Sequence, residues 1–252
     1  MPFPWRAGPG TCRELGRYVM LGYRDRPAGD ARKAIVAAAD VHPVEAEAYR
    51  ILRSRINLSH LPPLTRAVTE RVIHASADFD YAADLVCDER TLSAAVAALA
   101  AGAPVVADGP MVATGLAGHE VICRAGDSLT TRLARVTGIP PAAAAVRLAF
   151  SETGPGAVWV VGTAPTALEE IIGRGIEPAL VIGMPAGLAG VAEAKQRLRA
   201  SGLPSLSNVS EKGGAAVAAA AAEALLDITR EYLAGQQDRA GARPPEAEGR
   251  DG

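Results

Sequence analysis

The side chain in this sequence that is best suited to acid–base chemistry is His74, within the run Thr69-Glu-Arg-Val-Ile-His-Ala-Ser-Ala-Asp78. An imidazole titrates near neutral pH without help, so it can donate or accept a proton under ordinary conditions. Glu70 and Arg71 lie one helical turn before it. A histidine with such neighbours is more often a surface or boundary residue with a partner one turn away. The run alone therefore supports both a catalytic and a structural interpretation.

Four loops in the second part of the chain combine glycine, proline and hydroxyl residues with the predicted start of a helix. Such loops expose backbone N–H groups and the positive end of a helix dipole, which suits a ligand that bears several carboxylates. Taken alone, they are more simply ordinary turns between a strand and a helix. They span residues 107–115, 161–166, 182–187 and 209–214.

Several other chemistries lack their characteristic patterns in this chain. Gly183, Gly187 and Gly190 are spaced G-x-x-x-G-x-x-G rather than G-x-G-x-x-G, and there is no P-loop lysine and no nucleophile elbow. The four histidines are scattered and lack spaced acidic partners, which argues against a metal site. The three cysteines form no C-x-x-C pair, so we expect them to be reduced thiols.

The hydrophobic pattern indicates that these residues belong to one α/β domain. Apolar residues recur at helical spacing over residues 44–56, 63–75 and 91–101. Short β-rich runs then alternate with helices, which predicts a three-layer sandwich with a mainly parallel central sheet and helices on both faces. Ligands of such sheets bind beyond the carboxyl ends of the strands. The predicted strands are residues 104–107, 121–123, 157–161, 179–182 and 205–208.

Composition and charge limit the domain organisation and the partners. The 252 residues carry a formal net charge of -2, which argues against a general nucleic-acid binder. We find no apolar leader, and the Ala-rich stretch 215–226 is too short to span a membrane, so we expect a cytoplasmic protein that does not bind membranes. Glycine and proline patches predict an N-terminal extension over residues 1–40. The domain is predicted over residues 41–234, and a polar, disordered tail over residues 235–252.

Seven sequence blocks, in the right order, resemble the precorrin-8X methylmutase family over about residues 43–226. Because seven ordered blocks are far more specific than any one of them, the resemblance favours the catalytic interpretation of His74. The blocks are Arg71-Val-Ile-His-Ala75, Ala101-Gly-Ala-Pro104, Ala107-Asp-Gly-Pro-Met-Val112, Glu120-Val-Ile-Cys123, Gly162-Thr-Ala-Pro-Thr-Ala-Leu168, Ile182-Gly-Met-Pro-Ala-Gly-Leu-Ala-Gly190 and Lys212-Gly-Gly214.

The resemblance implies an isomerase of cobalamin biosynthesis that forms a homodimer and uses no cofactor. Its members move a methyl group between adjacent ring C carbons of precorrin-8X to give hydrogenobyrinate, or act on the cobalt-containing equivalent. By analogy His74 is the general acid/base, and Arg71 pairs with a substrate carboxylate. The further substrate-binding residues that the resemblance implies are Asp108, Met111, Thr163, Lys212, Gly213 and Gly214.

The sequence also departs from the family pattern at positions that look substrate-facing. Losing several buried polar contacts would weaken binding of the usual substrate. Two alternatives therefore stand beside the methylmutase: a diverged paralogue that acts on another substrate, and a non-catalytic carrier of a corrinoid or other tetrapyrrole. The altered positions are Ala48 (serine in the family), Pro141 (in place of an arginine-containing segment), Thr163 (asparagine), Ala215 (serine) and Glu223 (asparagine).

Overall fold

A computed structural model of the protein describes residues 43–241, with side chains described as far as residue 235. The predicted N-terminal extension lies outside the described residues. The helices are α1 (Pro43–Arg55), α2 (Pro63–Ser76), α3 (Tyr81–Asp84), α4 (Glu89–Ala100), α5 (Pro110–Gly115), α6 (Ser128–Thr137), α7 (Pro141–Thr153), α8 (Pro165–Gly173), α9 (Val191–Ala200) and α10 (Ala215–Gly241). The strands are β1 (Leu85–Val86), β2 (Val105–Ala107), β3 (Val121–Ile122), β4 (Val158–Val161), β5 (Leu180–Gly183) and β6 (Ser205–Asn208).

The six strands form one sheet in the order β1-β6-β5-β4-β2-β3. Every neighbouring pair is parallel except β1 and β6, which pair Leu85 with Asn208 in antiparallel register. All five predicted strands are present, so the α/β class and the mainly parallel sheet are confirmed. Strand β1 was not predicted, because two residues are too few to show an alternating hydrophobic pattern.

Helices cover both faces of the sheet, which confirms the predicted three layers. Strand β4 shows this directly, because Val158 and Val160 pack into one apolar cluster while Trp159 and Val161 pack into the other. Helices α2, α4, α5 and α10 lie together on the first face, and α6 to α9 lie together on the second.

Small residues bring the alanine-rich helix α10 very close to its neighbours. A Cβ atom added at Gly115 would lie 2.6 Å from the Cβ of Ala219, and one added at Gly162 would lie 2.8 Å from the Cα of Ala215. The helix continues to Gly241, beyond the predicted domain boundary at residue 234. The residues that follow that boundary include Gln236, Gln237 and Arg239, whose intrinsic propensity favours helix even where no apolar period is present. Residues 242–252 of the predicted tail lie outside the described residues.

None of the described helices is long and apolar enough to cross a membrane.

Candidate functional site

The four loops, considered above both as ordinary turns and as an anion-binding surface, lie together at the carboxyl ends of the strands. The amide of Met184, after β5, donates to the carbonyl of Val161 at the end of β4 at 2.9 Å. The amide of Gly214 donates to the carbonyl of Met184 at 2.7 Å, and the amide of Gly187 donates to the carbonyl of Glu211 at 3.1 Å. The loops after β4, β5 and β6 are therefore tied into one continuous surface, and Asp108 joins the loop after β2 to it.

His74 lies in the last turn of α2 and is half-buried. The ring stacks on the buried Tyr49 of α1, with centroids 4.6 Å apart and planes 11° apart. The turn ends at Ala77, whose φ of 54° is left-handed and whose amide donates to the carbonyl of Ile73 at 2.7 Å. This stacking contact fixes the plane of the imidazole.

Burial lowers the pKa of the His74 imidazole, and the positive charge of Arg71 lowers it further, whereas Glu45 raises it. The ring is therefore largely neutral at pH 7, the form that can accept a proton. Tyr49 is a contact that the sequence analysis missed. The available signal was its place on the buried side of α1, next to Leu52.

Arg71 makes an internal ion pair in this structure. Its guanidinium is buried, and Nη2 lies 2.5 Å from Oδ2 of Asp227 on α10. The substrate carboxylate that the resemblance assigns to Arg71 thus has a competitor within the chain. Asp227 was not predicted, because 156 positions separate the two residues and no local pattern links them.

A second buried carboxylate, Glu223, lies one helical turn before Asp227. It is 4% exposed, and its Oε1 lies 3.5 Å from Nε2 of His119. Burial and the negative charge of Asp227 raise the pKa of Glu223 to about 7, although Arg71 and Arg230 oppose this. Burial also raises the pKa of Asp227 to about 6. Glu223 is therefore a titratable acid at a position where the sequence resemblance implies an asparagine.

Replacing Glu223 with glutamine is expected to stabilise the protein at alkaline pH. A carboxyl group whose pKa is higher in the folded state stabilises fully below its unfolded value, and this contribution is lost as the pH rises through about 7. Glutamine stays neutral, so the free energy of unfolding in urea should rise by about 1–3 kcal/mol at pH 8.5 and change little at pH 4.5. The exposed Glu193 provides the control variant Glu193→Gln. A Glu223→Gln protein less stable than wild type at pH 8.5 would refute this account of the cluster.

Asp108 binds the loop after β4 through both carboxylate oxygens. It accepts hydrogen bonds from the amides of Gly162 (3.1 Å), Thr163 (2.8 Å) and Ala164 (2.9 Å), and from the Thr163 hydroxyl (2.6 Å). Through these contacts Asp108 fixes the conformation of the loop after β4. A contact between Asp108 and the substrate, as predicted, would have to compete with these hydrogen bonds. Met111 is 72% exposed on α5 and so can contact a ligand directly.

Lys212 links the loop after β6 to the segment that follows His74. Its Nζ lies 2.8 Å from Oδ2 of Asp78 and 2.6 Å from Oδ2 of Asp80, and these contacts raise the pKa of Lys212. Gly213 and Gly214 follow with φ of 146° and 115°, and a side chain at Gly213 would meet the carbonyls of Met184 and Pro185. Only glycine fits this close approach.

The remaining altered positions lie in different parts of the fold. Ala48 is half-buried on α1 beside Tyr49, and Ala215 is buried at the start of α10. Pro141 begins α7, in the helical layer opposite to His74. No group of three or more histidine, cysteine, aspartate or glutamate side chains within the described residues could hold a metal ion.

Comparison with known proteins gives one consistent family. A sequence model described as precorrin-8X methylmutase matches residues 43–228. A precorrin-8X methylmutase of Sinorhizobium sp is 35% identical over 198 residues, which cover 74% of this chain and 94% of the relative. A cobalt-precorrin-8 methylmutase of Salmonella typhimurium is 32% identical over 200 residues, covering 75% of this chain and 95% of the relative.

The fold leads to the same family. The crystal structure of a precorrin-8X methylmutase from Thermus thermophilus is similar with a TM-score of 0.68 and 33% sequence identity. The match covers 76% of this chain and 99% of that one. Because the sequence model spans most of the chain and the relatives match over nearly their full length, this protein belongs to the precorrin-8X methylmutase family, whose members are isomerases of cobalamin biosynthesis.

Proposed function

We propose that this protein converts precorrin-8X into hydrogenobyrinate by moving a methyl group between adjacent carbons of ring C, with His74 as the general acid/base. The observation that carries the proposal is the placement of His74, whose half-buried ring is held by Tyr49 at the end of α2. The loop that contains Lys212 reaches the segment just after this histidine. We further propose that the protein works as a homodimer in the cytoplasm, as the family resemblance implies.

In the proposed reaction His74 transfers one proton. A methyl shift around a conjugated ring requires a particular tautomer of the macrocycle, which a positioned base can produce by taking a proton and later returning it. The lowered pKa of His74 supports the role of base, because the neutral imidazole predominates at pH 7. Stacking on Tyr49 leaves the ring with a defined plane against which the macrocycle can be oriented.

The carboxylate arms of the substrate would be held by the loop surface. Lys212 offers an ammonium group that Asp78 and Asp80 keep charged and positioned, and a substrate carboxylate would share or replace those contacts. Gly213 and Gly214 allow this loop to pack closely against the loop after β5, and their backbone would contact the substrate from that position. The exposed Met111 and Thr163 would contribute apolar and hydroxyl contacts at the edge of the crevice. In this scheme the guanidinium of Arg71 stays in its ion pair with Asp227, and its positive charge acts on His74 by lowering the pKa of the imidazole.

A spectrophotometric incubation tests the proposal. Purified protein is mixed with precorrin-8X, and in parallel with cobalt-precorrin-8, and the absorption spectrum is followed with time. We expect conversion to the spectrum of hydrogenobyrinate or of its cobalt-containing equivalent, and the faster reaction identifies the substrate.

The second candidate is a corrinoid carrier, and the altered positions Ala48, Pro141, Thr163, Ala215 and Glu223 are the observations that favour it. A carrier would bind precorrin-8X tightly and leave the bound molecule unchanged. A protein that neither binds nor converts either compound would be a paralogue with another substrate, and that result would exclude both candidates.

A further inference from the structure

Lys195 on α9 is a fully buried lysine that the proposed mechanism does not use. Its Nζ donates to Oδ1 of Asn208 at 3.0 Å, to the carbonyl of Lys212 at 2.8 Å and to the carbonyl of Ser210. An ammonium group has three N–H donors, so each of them has an acceptor. All three acceptors are neutral; Asn208 is the last residue of β6, and the two carbonyls belong to the loop that follows it.

Asp84 also forms hydrogen bonds with this loop and with Asn208 before it. This carboxylate accepts from Nδ2 of Asn208 at 2.8 Å, from the amides of Val209 (3.1 Å) and Ser210 (2.8 Å), and from the Ser210 hydroxyl at 2.7 Å. The carbonyls of the loop therefore turn inward to Lys195, and its first amides turn to Asp84. The Lys212 side chain extends from this loop to the segment just after His74, where its Nζ lies 2.8 Å from Oδ2 of Asp78.

We infer that Lys195 is a positioning residue of the substrate site, because its buried ammonium holds the backbone that presents Lys212 and Gly213 to the substrate carboxylates. The inference rests on the proposed function for the identity of the ligand, but the ordering of the loop can be measured without it. A lysine is suited to this task, since one cation can collect three carbonyl-type oxygens that converge on a point.

The charges around Lys195 make the arrangement sensitive to pH. Burial lowers the pKa of Lys195 to about 8; Asp84 and Glu211 oppose this change, and Arg199 adds to it. Above pH 8 the ammonium loses a proton and with it one of the three hydrogen bonds to the loop. The KM of the wild-type enzyme should therefore rise above pH 8. The pH dependence of kcat should instead follow the protonation state of the His74 imidazole.

The test compares Lys195→Met with Arg197→Met, which removes an exposed cation from the same helix. Hydrogen exchange measured by mass spectrometry should show about tenfold faster exchange over residues 209–214 in Lys195→Met, with the rest of the sheet unchanged. KM should rise about tenfold with kcat within threefold of wild type. Arg197→Met should resemble wild type in both measurements.

Unchanged exchange over residues 209–214 in Lys195→Met would overturn the inference, whether or not the protein converts any corrinoid. Faster exchange throughout the protein, together with a fall in kcat as large as the rise in KM, would also overturn the inference. That pattern indicates a lysine with a merely structural role. If Lys195→Met does not fold, wild-type exchange corrected for the intrinsic rate is compared at pH 7 and pH 9. Lower protection of residues 209–214 at pH 9 is expected, and equal protection at the two pH values would contradict the inference.

Discussion

Replacing His74 with alanine should lower kcat for precorrin-8X by about 10²–10⁴-fold, the usual contribution of a general acid or base. The dissociation constant of the substrate should change only several-fold, because the carboxylate contacts come from the loop with Lys212. Turnover is measured from the absorption change under saturating substrate, and binding from the quenching of protein fluorescence. Losing the stack on Tyr49 should cost about 1 kcal/mol of unfolding free energy.

The exposed His60 gives the matched control, since it lies in the loop between α1 and α2. His60→Ala should keep wild-type kcat and KM. A His74→Ala protein with kcat within fivefold of wild type would remove His74 from the chemistry. The proton would then have to be handled by another group or by the substrate itself.

Replacing Arg71 with methionine should lower the free energy of unfolding by about 3–5 kcal/mol at pH 8, because it removes the buried cation that pairs with Asp227 and leaves this carboxylate, among the described residues, only the exposed Arg230, 3.3 Å away. Urea unfolding of the two proteins measures the difference. The double variant Arg71→Met/Asp227→Leu should recover most of the loss, since it removes both charges together.

Arg197→Met serves as the control for the loss of an arginine. Its partner Glu169 is exposed, so the cost should stay below about 1 kcal/mol. If Arg71→Met instead has nearly wild-type stability and a strongly raised KM, then Arg71 pairs with the substrate carboxylate as the sequence resemblance implies. In that case Asp227 only holds the guanidinium while the site is empty.

The sequence predicted the architecture well, because hydrophobic spacing reports directly on local structure. The five predicted strands are present, and helix α2 is observed at Pro63–Ser76 against a prediction of residues 63–75. Strand β1 and the end of α10 at Gly241 were not predicted. Both depend on local features, either too short or too polar to give a clear apolar period.

The candidate site was only partly predictable, since motif blocks identify residues but not their partners. Arg71 and Lys212 were selected from short blocks, whereas their partners come from elsewhere in the chain: Asp227 pairs with Arg71 across 156 positions, and Lys195 donates to the carbonyl of Lys212 across 17. Asp108 shows the same limit. Its block suggested a substrate contact, and only the structure reveals that the amides of residues 162–164 surround its carboxylate.

The most direct test of the methyl migration follows the methyl group itself. Precorrin-8X with ¹³C in the migrating methyl group and in the two ring C carbons involved is incubated with the wild-type protein, and the product is examined by NMR. The proposed function predicts that the labelled methyl becomes attached to the neighbouring ring C carbon, with the new carbon–carbon coupling that this requires. A label that stays on its original carbon, in a protein that binds the corrinoid, would contradict the proposal and identify a carrier.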